Sequence, residues 1–270
     1  MGPEPMLSST QRETFEDRGL VRLERAFSLA QAQAMEQRLW TALTEGYGAS
    51  PDDPATWQPG WATGLQDLRA DEVFEPIGGA AVTGALDELL GVRRWQRPRH
   101  WGQVLVSFPA TDGAWAPPTP LWHTDFAYDV PATPLAGVLV FSFISTVVPR
   151  TGGTGVMTGS HRLVREFVER QRPEVLRKMK TARTALMRSE PWLHALSSIE
   201  PDLDWLGQLR DTEHVLYGTT LRIEELVGEA GDVVIAHPWL LHSPAPNRGS
   251  RPRFMRVQRI HAISPRPPTP

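Results

Sequence analysis

Cysteine is absent from all 270 residues, which excludes disulfides, thiolate metal sites and a cysteine nucleophile. Any metal must therefore be held by nitrogen and oxygen. Lysine is nearly as scarce, with Lys178 and Lys180 the only two, so arginine supplies almost all of the positive charge. No uninterrupted run of five like charges occurs and the formal net charge is -3, so nothing favours a polyanionic partner such as nucleic acid. No stretch approaches the roughly eighteen apolar residues of a membrane span. The start, MGPEPMLSST, lacks the basic and apolar regions of a signal peptide. A cytoplasmic setting without a membrane partner is expected.

What is present is ordinary globular composition. Hydrophobic residues make up 40% of the chain and charged residues 22%, enough for a sizeable core in one domain spanning residues 1–270. The first part, residues 10–91, reads as mainly helical. Thr10 with Glu13 has the form of a capping box for a helix running to Arg18, and a strand Leu20 to Leu23 follows. Ser28 with Gln31 repeats the pattern, and Ala32, Met35, Leu39, Trp40 and Leu43 fall on one helical stripe. Val82, Leu86, Leu89 and Leu90 before Gly91 mark another helix.

From residue 100 to 263 the texture changes to short β-rich runs: Gln103 to Phe108, Gly137 to Val148, Val215 to Ile223, Asp232 to His237 and Phe254 to Ile263. Residues 163–222 interrupt them with helical spacing, in which Leu163, Phe167, Val175, Leu176 and Met179 are candidates for a buried face. That insertion is a candidate lid, and an ordinary packing layer is equally compatible with it. Helices first, then spaced strands, point to a jelly roll wrapped by helices and not to alternating βαβ units. The proline-rich tail, 264–270, reads as a flexible end.

The segment PLWHTDFAY places His123 and Asp125 two residues apart, on one face of an extended strand. Two imidazoles and a carboxylate, leaving open octahedral positions, are the donor set of non-haem iron oxygenases. His242, at the end of GDVVIAHPWLLH, is the choice for the third ligand, with His237 as the alternative. Arg253 lies eleven residues beyond His242, where a returning strand can bring its planar fork towards the metal to hold a carboxylate. Arg251 and Arg256 compete for that role, and periodicity does not choose among the three. The glycines of RTGGTGVMTGSHRL lack the GK[ST] ending of a phosphate-binding loop, so structural roles are expected for them. Trp122 and Phe126 flank the ligand pair and, by alternation, face away from it, towards the core or the walls of a substrate pocket.

At TFEDRGLVRL, WHTDF, GGTGVMTGSHRL and GDVVIAHPWLLHSPAPNRGSRPR the sequence resembles the phytanoyl-CoA dioxygenase family of Fe(II)- and 2-oxoglutarate-dependent oxygenases, over roughly residues 10 to 260. The resemblance implies a double-stranded β-helix, Fe(II) held by His123, Asp125 and His242, Arg253 on the distal carboxylate of 2-oxoglutarate, and dioxygen as oxidant. It implies oxidation of a small organic molecule, such as a bacterial metabolite or biosynthetic intermediate, with release of succinate and CO2. Family members often carry a small hydroxyl residue two positions after the distal histidine. Here Pro244 stands there and Ser243 precedes it, so Ser243 is the candidate for that co-substrate contact. A lysine frequent before the proline that ends the strand upstream of H-x-D is replaced by Phe108; Gln103, on that strand, is a candidate for holding co-substrate or substrate. Retention of Asp125 disfavours halogenation. A cupin-like metal hydrolase or isomerase, and a catalytically silent binding module, are the rival readings. Oligomeric state and substrate identity carry no sequence signal.

Overall fold

The computed structural model describes residues 6–263 apart from 59, 63, 111–114, 120, 199–202 and 210–211. In chain order the elements are α1 (Ser9–Arg18), β1 (Leu20–Leu23), α2 (Leu29–Tyr47), β2 (Gly60–Trp61), α3 (Ala80–Leu90), β3 (Gln103–Phe108), β4 (Gly137–Phe143) and β5 (Thr154–Thr158). Then come α4 (Ser160–Arg170), α5 (Pro173–Leu176), α6 (Met179–Arg188), α7 (Pro191–Leu196) and α8 (Leu203–Leu209). The chain closes with β6 (Glu213–Leu216), β7 (Thr219–Glu225), β8 (Val233–Ala236), β9 (His242–Pro244) and β10 (Arg253–His261).

The strands form two antiparallel sheets, one of six strands in the order β1-β8-β4-β10-β3-β2 and one of four in the order β6-β7-β5-β9. This is the double-stranded β-helix arrangement, and alternation along the large sheet divides the core in two. Val138, Val140, Val233, Ile235, Phe254 and Ile260 face the N-terminal helices, against Met35, Leu39, Leu43, Val82 and Leu86. Their neighbours Leu139, Phe141, Phe143, Val234, Ala236 and Met255 face inward, against Val156, Leu221 and Ile223 of the small sheet. A one-residue slip of β10 would carry Phe254 and Ile260 to the inner face and Met255 to the outer one, so burial on both sides fixes its register.

Several expectations need correction. The cap of α1 is Ser8 with Gln11, not Thr10 with Glu13, and the main chain of Met6 and Leu7 is tied to the Glu88 carboxylate of α3. Ser28 and Gln31 cap α2 as expected. The segment beginning at Leu163 is helical only as far as Leu209. The run from Val215 breaks at Tyr217–Gly218, both at positive φ, into the hairpin β6–β7 of the small sheet. The strand expected to reach Val148 ends at Phe143, where the chain turns and Val147 pairs in isolation with Gly228. Met179 is exposed, not buried. The tail 264–270 lies outside the described residues. Among the described residues no helix is long and apolar enough to cross a membrane.

Candidate metal centre

His242 opens β9 and lies between two strand partners. On one side β5 pairs with it through Val156. On the other, His123 pairs with it in an isolated antiparallel bridge, each N–H donating to the other's carbonyl at 3.0 Å. The segment around His123 is thus not the extended strand expected from alternation. It is one bridge followed by a bend, which Thr124 holds by donating its hydroxyl to the Phe126 carbonyl at 3.0 Å. The bend turns Asp125 back towards the histidines, and one ligand atom from each of His123, Asp125 and His242 lies within 4.8 Å of the others.

The ring orientations select the metal-binding nitrogen. Nδ1 of His123 lies 2.7 Å from the Leu121 carbonyl, and Nδ1 of His242 lies 3.0 Å from that of Leu240. A carbonyl only accepts, so each Nδ1 carries the proton and each Nε2 keeps its lone pair. Nε2 of His242 is 3.5 Å from Oδ2 of Asp125, and the two imidazoles are 4.3 Å apart between centroids. Phe141 packs edge-on against His242. Burial, and then the neighbouring His242, hold His123 below the ordinary imidazole pKa against the opposing pull of the Leu121 carbonyl and Asp125. Burial works to raise the Asp125 carboxyl, but His242, Arg259 and His123 outweigh it and hold it below the ordinary value. Two imidazoles that each turn Nε2 away from a carbonyl-bound Nδ1, together with a carboxylate held in its ionised form, make a donor set that fits a divalent first-row metal such as Fe(II).

The profile of the phytanoyl-CoA dioxygenase (PhyH) family matches residues 15–255. The chain belongs to this family. Its fold is similar to that of the 2-oxoglutarate-dependent carbocyclase SnoK of nogalamycin biosynthesis, with a TM-score of 0.56 and 18% identity over 97% of this chain and 87% of that one. EctD from S. alaskensis, solved with 2-oxoglutarate and 5-hydroxyectoine, gives 0.54 and 18% over 97% and 79%. EvdO2 from Micromonospora carbonacea var. aurantiaca, solved with 2-oxoglutarate, gives 0.52 and 15% over 96% and 92%. Among curated proteins, no sequence matches this chain.

The remaining site candidates of this PhyH-family chain fall at different depths. Arg253 is the first residue of β10 and is buried, on the same face as Met255, Val257 and Arg259 by alternation. Its Nε donates to the Gly152 carbonyl at 2.6 Å and its Nη1 to that of Leu105 at 3.0 Å. Burial lowers its pKa to about 9, opposed by Glu225, so it remains a cation at neutral pH. Its competitor Arg256 is on the other face, under the N-terminal layer, where it stacks on Phe74 and donates to the Gly102 and Arg69 carbonyls. Arg251 precedes the strand and is exposed.

The adjacent glycines Gly152 and Gly153 of RTGGTG shape the site around Arg253. The Gly152 and Gly153 amides donate to the Glu225 carboxylate at 3.0 and 2.7 Å, so an internal carboxylate occupies the nest that a phosphate would otherwise take. Asn247, in the loop before β10, donates to the Ser107 and Arg251 carbonyls and accepts from Gly249. These bonds fix where β10 begins.

Gln103, exposed at the start of β3, lines a cleft of about 240 Å³ with Arg69, His100, Asp125 and Arg259. Phe126, although buried, lines a neighbouring cleft of about 330 Å³ beside Asp125, Val130 and Pro134. Trp122 is 1% exposed, within the core between the sheets. Ser243 follows His242 directly, so alternation turns it to the other face of β9; it is fully buried and its hydroxyl has no hydrogen-bond partner among the described residues. His237 does not join the ligands: its Nδ1 accepts from the Trp239 amide at 3.1 Å, and its ring packs on His161.

Arg259 escaped the sequence reading. Its guanidinium lies 3.3 Å from Oδ1 of Asp125, which leaves Oδ2 on the His242 side. Even spacing along β10 is the signal that could have found it, since 253 and 259 share parity. A third cleft, about 400 Å³, opens over His123 and Asp125 and is lined by Thr124, Tyr128, Met179, Lys180, Arg183 and Arg259.

Proposed function

We propose that this protein is an Fe(II)- and 2-oxoglutarate-dependent dioxygenase that hydroxylates or otherwise oxidises a small metabolite or biosynthetic intermediate. The observation that carries this reading is the convergence of two Nε2 lone pairs and the Asp125 carboxylate at one point. Bound there, Fe(II) with 2-oxoglutarate and dioxygen supplies the oxidising power, and succinate and CO2 are the by-products.

The protein's own residues supply placement. His123, Asp125 and His242 hold the metal, and the carbonyls of Leu121 and Leu240 keep both rings in the binding tautomer. Arg259 engages one Asp125 oxygen so that the other faces the metal. Arg253 holds the distal carboxylate of 2-oxoglutarate, its charge kept in a dry setting where an ion pair is strong. Gln103 and Phe126 form walls of the substrate clefts, Trp122 backs the ligand segment from the core, and Ser243 supports β9 next to the co-substrate. The metal-bound carboxylate is retained, which favours hydroxylation over halide transfer. Relatedness in fold to EctD, solved with 5-hydroxyectoine, supports a small-molecule substrate.

The test is spectroscopic. Anaerobic addition of Fe(II) and 2-oxoglutarate should produce a visible metal-to-ligand charge-transfer band, and a screen of candidate small molecules should then find one that stimulates succinate release. A protein that binds Fe(II) without developing the band has no chelated keto acid, and the reading fails.

A further inference from the structure

Helix α6 begins at the mouth of the metal centre with an unusual charge pattern. Its N-cap is Lys178, which offers no side-chain cap, and its first turn contains no acidic residue. From Arg177 to Arg188 the sequence carries Arg177, Lys178, Lys180, Arg183 and Arg188 and no carboxylate. Both lysines of the chain are here. Cations at a helix N-terminus oppose the macrodipole, where Asp or Glu is the stabilising choice. The arrangement is unfavourable by itself and becomes favourable when an anion arrives.

The start of α6 also forms one wall of the cleft of about 400 Å³ above His123 and Asp125, contributing Met179, Lys180 and Arg183. Lys180 and Arg183 form no ion pair among the described residues, while Arg259 across the cleft is already engaged by Asp125. A second, independent feature points into the same space. Tyr128 lines the cleft and is 1% exposed, and its hydroxyl has no hydrogen-bond partner among the described residues. Thr124 stands beside it with its own proton given to the Phe126 carbonyl, and no hydrogen bond of ordinary length and angle joins the two hydroxyls. A buried phenol with an unspent donor needs an acceptor.

We propose that the substrate carries an oxyanion, a carboxylate or a phosphate ester, which seats at the start of α6 between Lys180 and Arg183 and accepts a hydrogen bond from Tyr128. The substrate-class assignment rests on the oxygenase reading; the anion seat itself is separately measurable. N–H groups without a side-chain cap, two cations in no ion pair among the described residues and a hydroxyl donor together match an oxygen-rich anion and leave a neutral ring or alkyl chain unsatisfied. Held at the cleft wall by its charged end, such a molecule extends its uncharged part over the metal ligands.

Calorimetric titration of the purified protein with phenyl phosphate, benzoate and the neutral control benzyl alcohol tests this. At least one anion should bind, more tightly than benzyl alcohol and less tightly as salt rises. The tighter of the two identifies the oxyanion. The double variant Lys180→Gln, Arg183→Gln should weaken it about tenfold, the sum of two partly exposed ion pairs, and Tyr128→Phe about threefold, one hydrogen bond. Because like charges are removed, the double variant's thermal midpoint should match or slightly exceed that of the parent. Anions that bind no better than benzyl alcohol, an unchanged affinity in the double variant, or displacement by saturating 2-oxoglutarate would each overturn the proposal. The charge-transfer band is read in parallel and should be the same in parent and double variant. Anion binding at α6 without a band in the parent removes the oxygenase reading and leaves the seat standing.

Discussion

His123 and His242 face each other across a single antiparallel bridge, with their main chains exchanging both hydrogen bonds at 3.0 Å. The two ligands are therefore positioned by backbone and not by their own rings. Replacing either ring removes a metal ligand without removing the strand contact that places it.

His123→Ala should accordingly abolish Fe(II)-dependent turnover and the charge-transfer band while the fold survives. The activity loss should exceed the roughly 10–100-fold typical when only an outer partner of a metal ligand is changed. Thermal unfolding should still be cooperative, with a midpoint close to the parent. Retention of the band in this variant would remove His123 from the ligand set, and collapse of the fold would show that the bridge depends on the ring.

Arg259 leads to a milder expectation. The Arg259 side chain is 53% exposed and its contact with Asp125 is 3.3 Å, so water screens much of the attraction and the pair contributes at most about 1 kcal/mol. Arg259→Met removes the contact that holds Asp125 Oδ1, so Fe(II) affinity should fall a few-fold and by the same factor at pH 7.5 and pH 6.0, because a carboxyl held below the ordinary value is ionised at both. Affinity measured at the two pH values checks this: a loss that grows on acidification would mean that the arginine acts by keeping the carboxylate ionised and not by orienting it.

Arg253 is buried and bonded to two carbonyls, so a short replacement leaves those acceptors stranded as well as removing the charge. Arg253→Lys keeps a cation but loses the planar fork. It should raise the 2-oxoglutarate concentration needed for half-maximal turnover about tenfold or more, with a smaller effect at saturation. Gly152→Ala should act on the same quantity. Its φ is +84° and an added Cβ would meet Asn247 at 2.8 Å, so the carbonyl that receives Arg253 Nε must shift. An unchanged 2-oxoglutarate requirement in Arg253→Lys would separate this residue from the co-substrate.

How much of this was readable beforehand follows from what each feature depends on. H-x-D spacing, the Ser28–Gln31 capping box and strand β3 are local, and each is encoded within a few adjacent residues. The α1 cap was misplaced because SSTQRE contains two overlapping capping patterns, and the deciding contact is with Glu88, more than seventy residues away. Choosing Arg253 over Arg256 required the register of β10, because residues three apart lie on opposite faces of a strand. The bend at Asp125 was not legible, since it arises where an isolated bridge replaces a continuous ladder. Lys180 and Arg183 reach the metal centre only through the packing of α6, which no spacing rule along the chain contains.

His161 and His237 supply the last expectation. They lie 4.8 Å apart between centroids, buried where α1 and α4 meet the chain leading from β8 to β9. His161 Nε2 lies 2.9 Å from the Glu16 carbonyl, so its proton is there and Nδ1 is an acceptor. His237 Nδ1 accepts from Trp239, so its proton is on Nε2. The two atoms without a hydrogen-bond partner among the described residues, Nδ1 of His161 and Nε2 of His237, are thus a complementary acceptor and donor, and protonating either ring would destroy that match. Burial is the leading cause that lowers His161 to about 4 and His237 to about 2. Both rings stay neutral when folded and titrate near 6.5 when unfolded, so the unfolded chain binds more protons as pH falls below that value. Stability is therefore intact above about pH 6.5 and is lost on acidification towards pH 4, on the order of 3 kcal/mol per ring. Urea unfolding between pH 7.5 and 5 should show this slope, and His161→Gln should reduce it by close to one proton. A variant with the parent's slope would mean that the acid sensitivity comes from elsewhere.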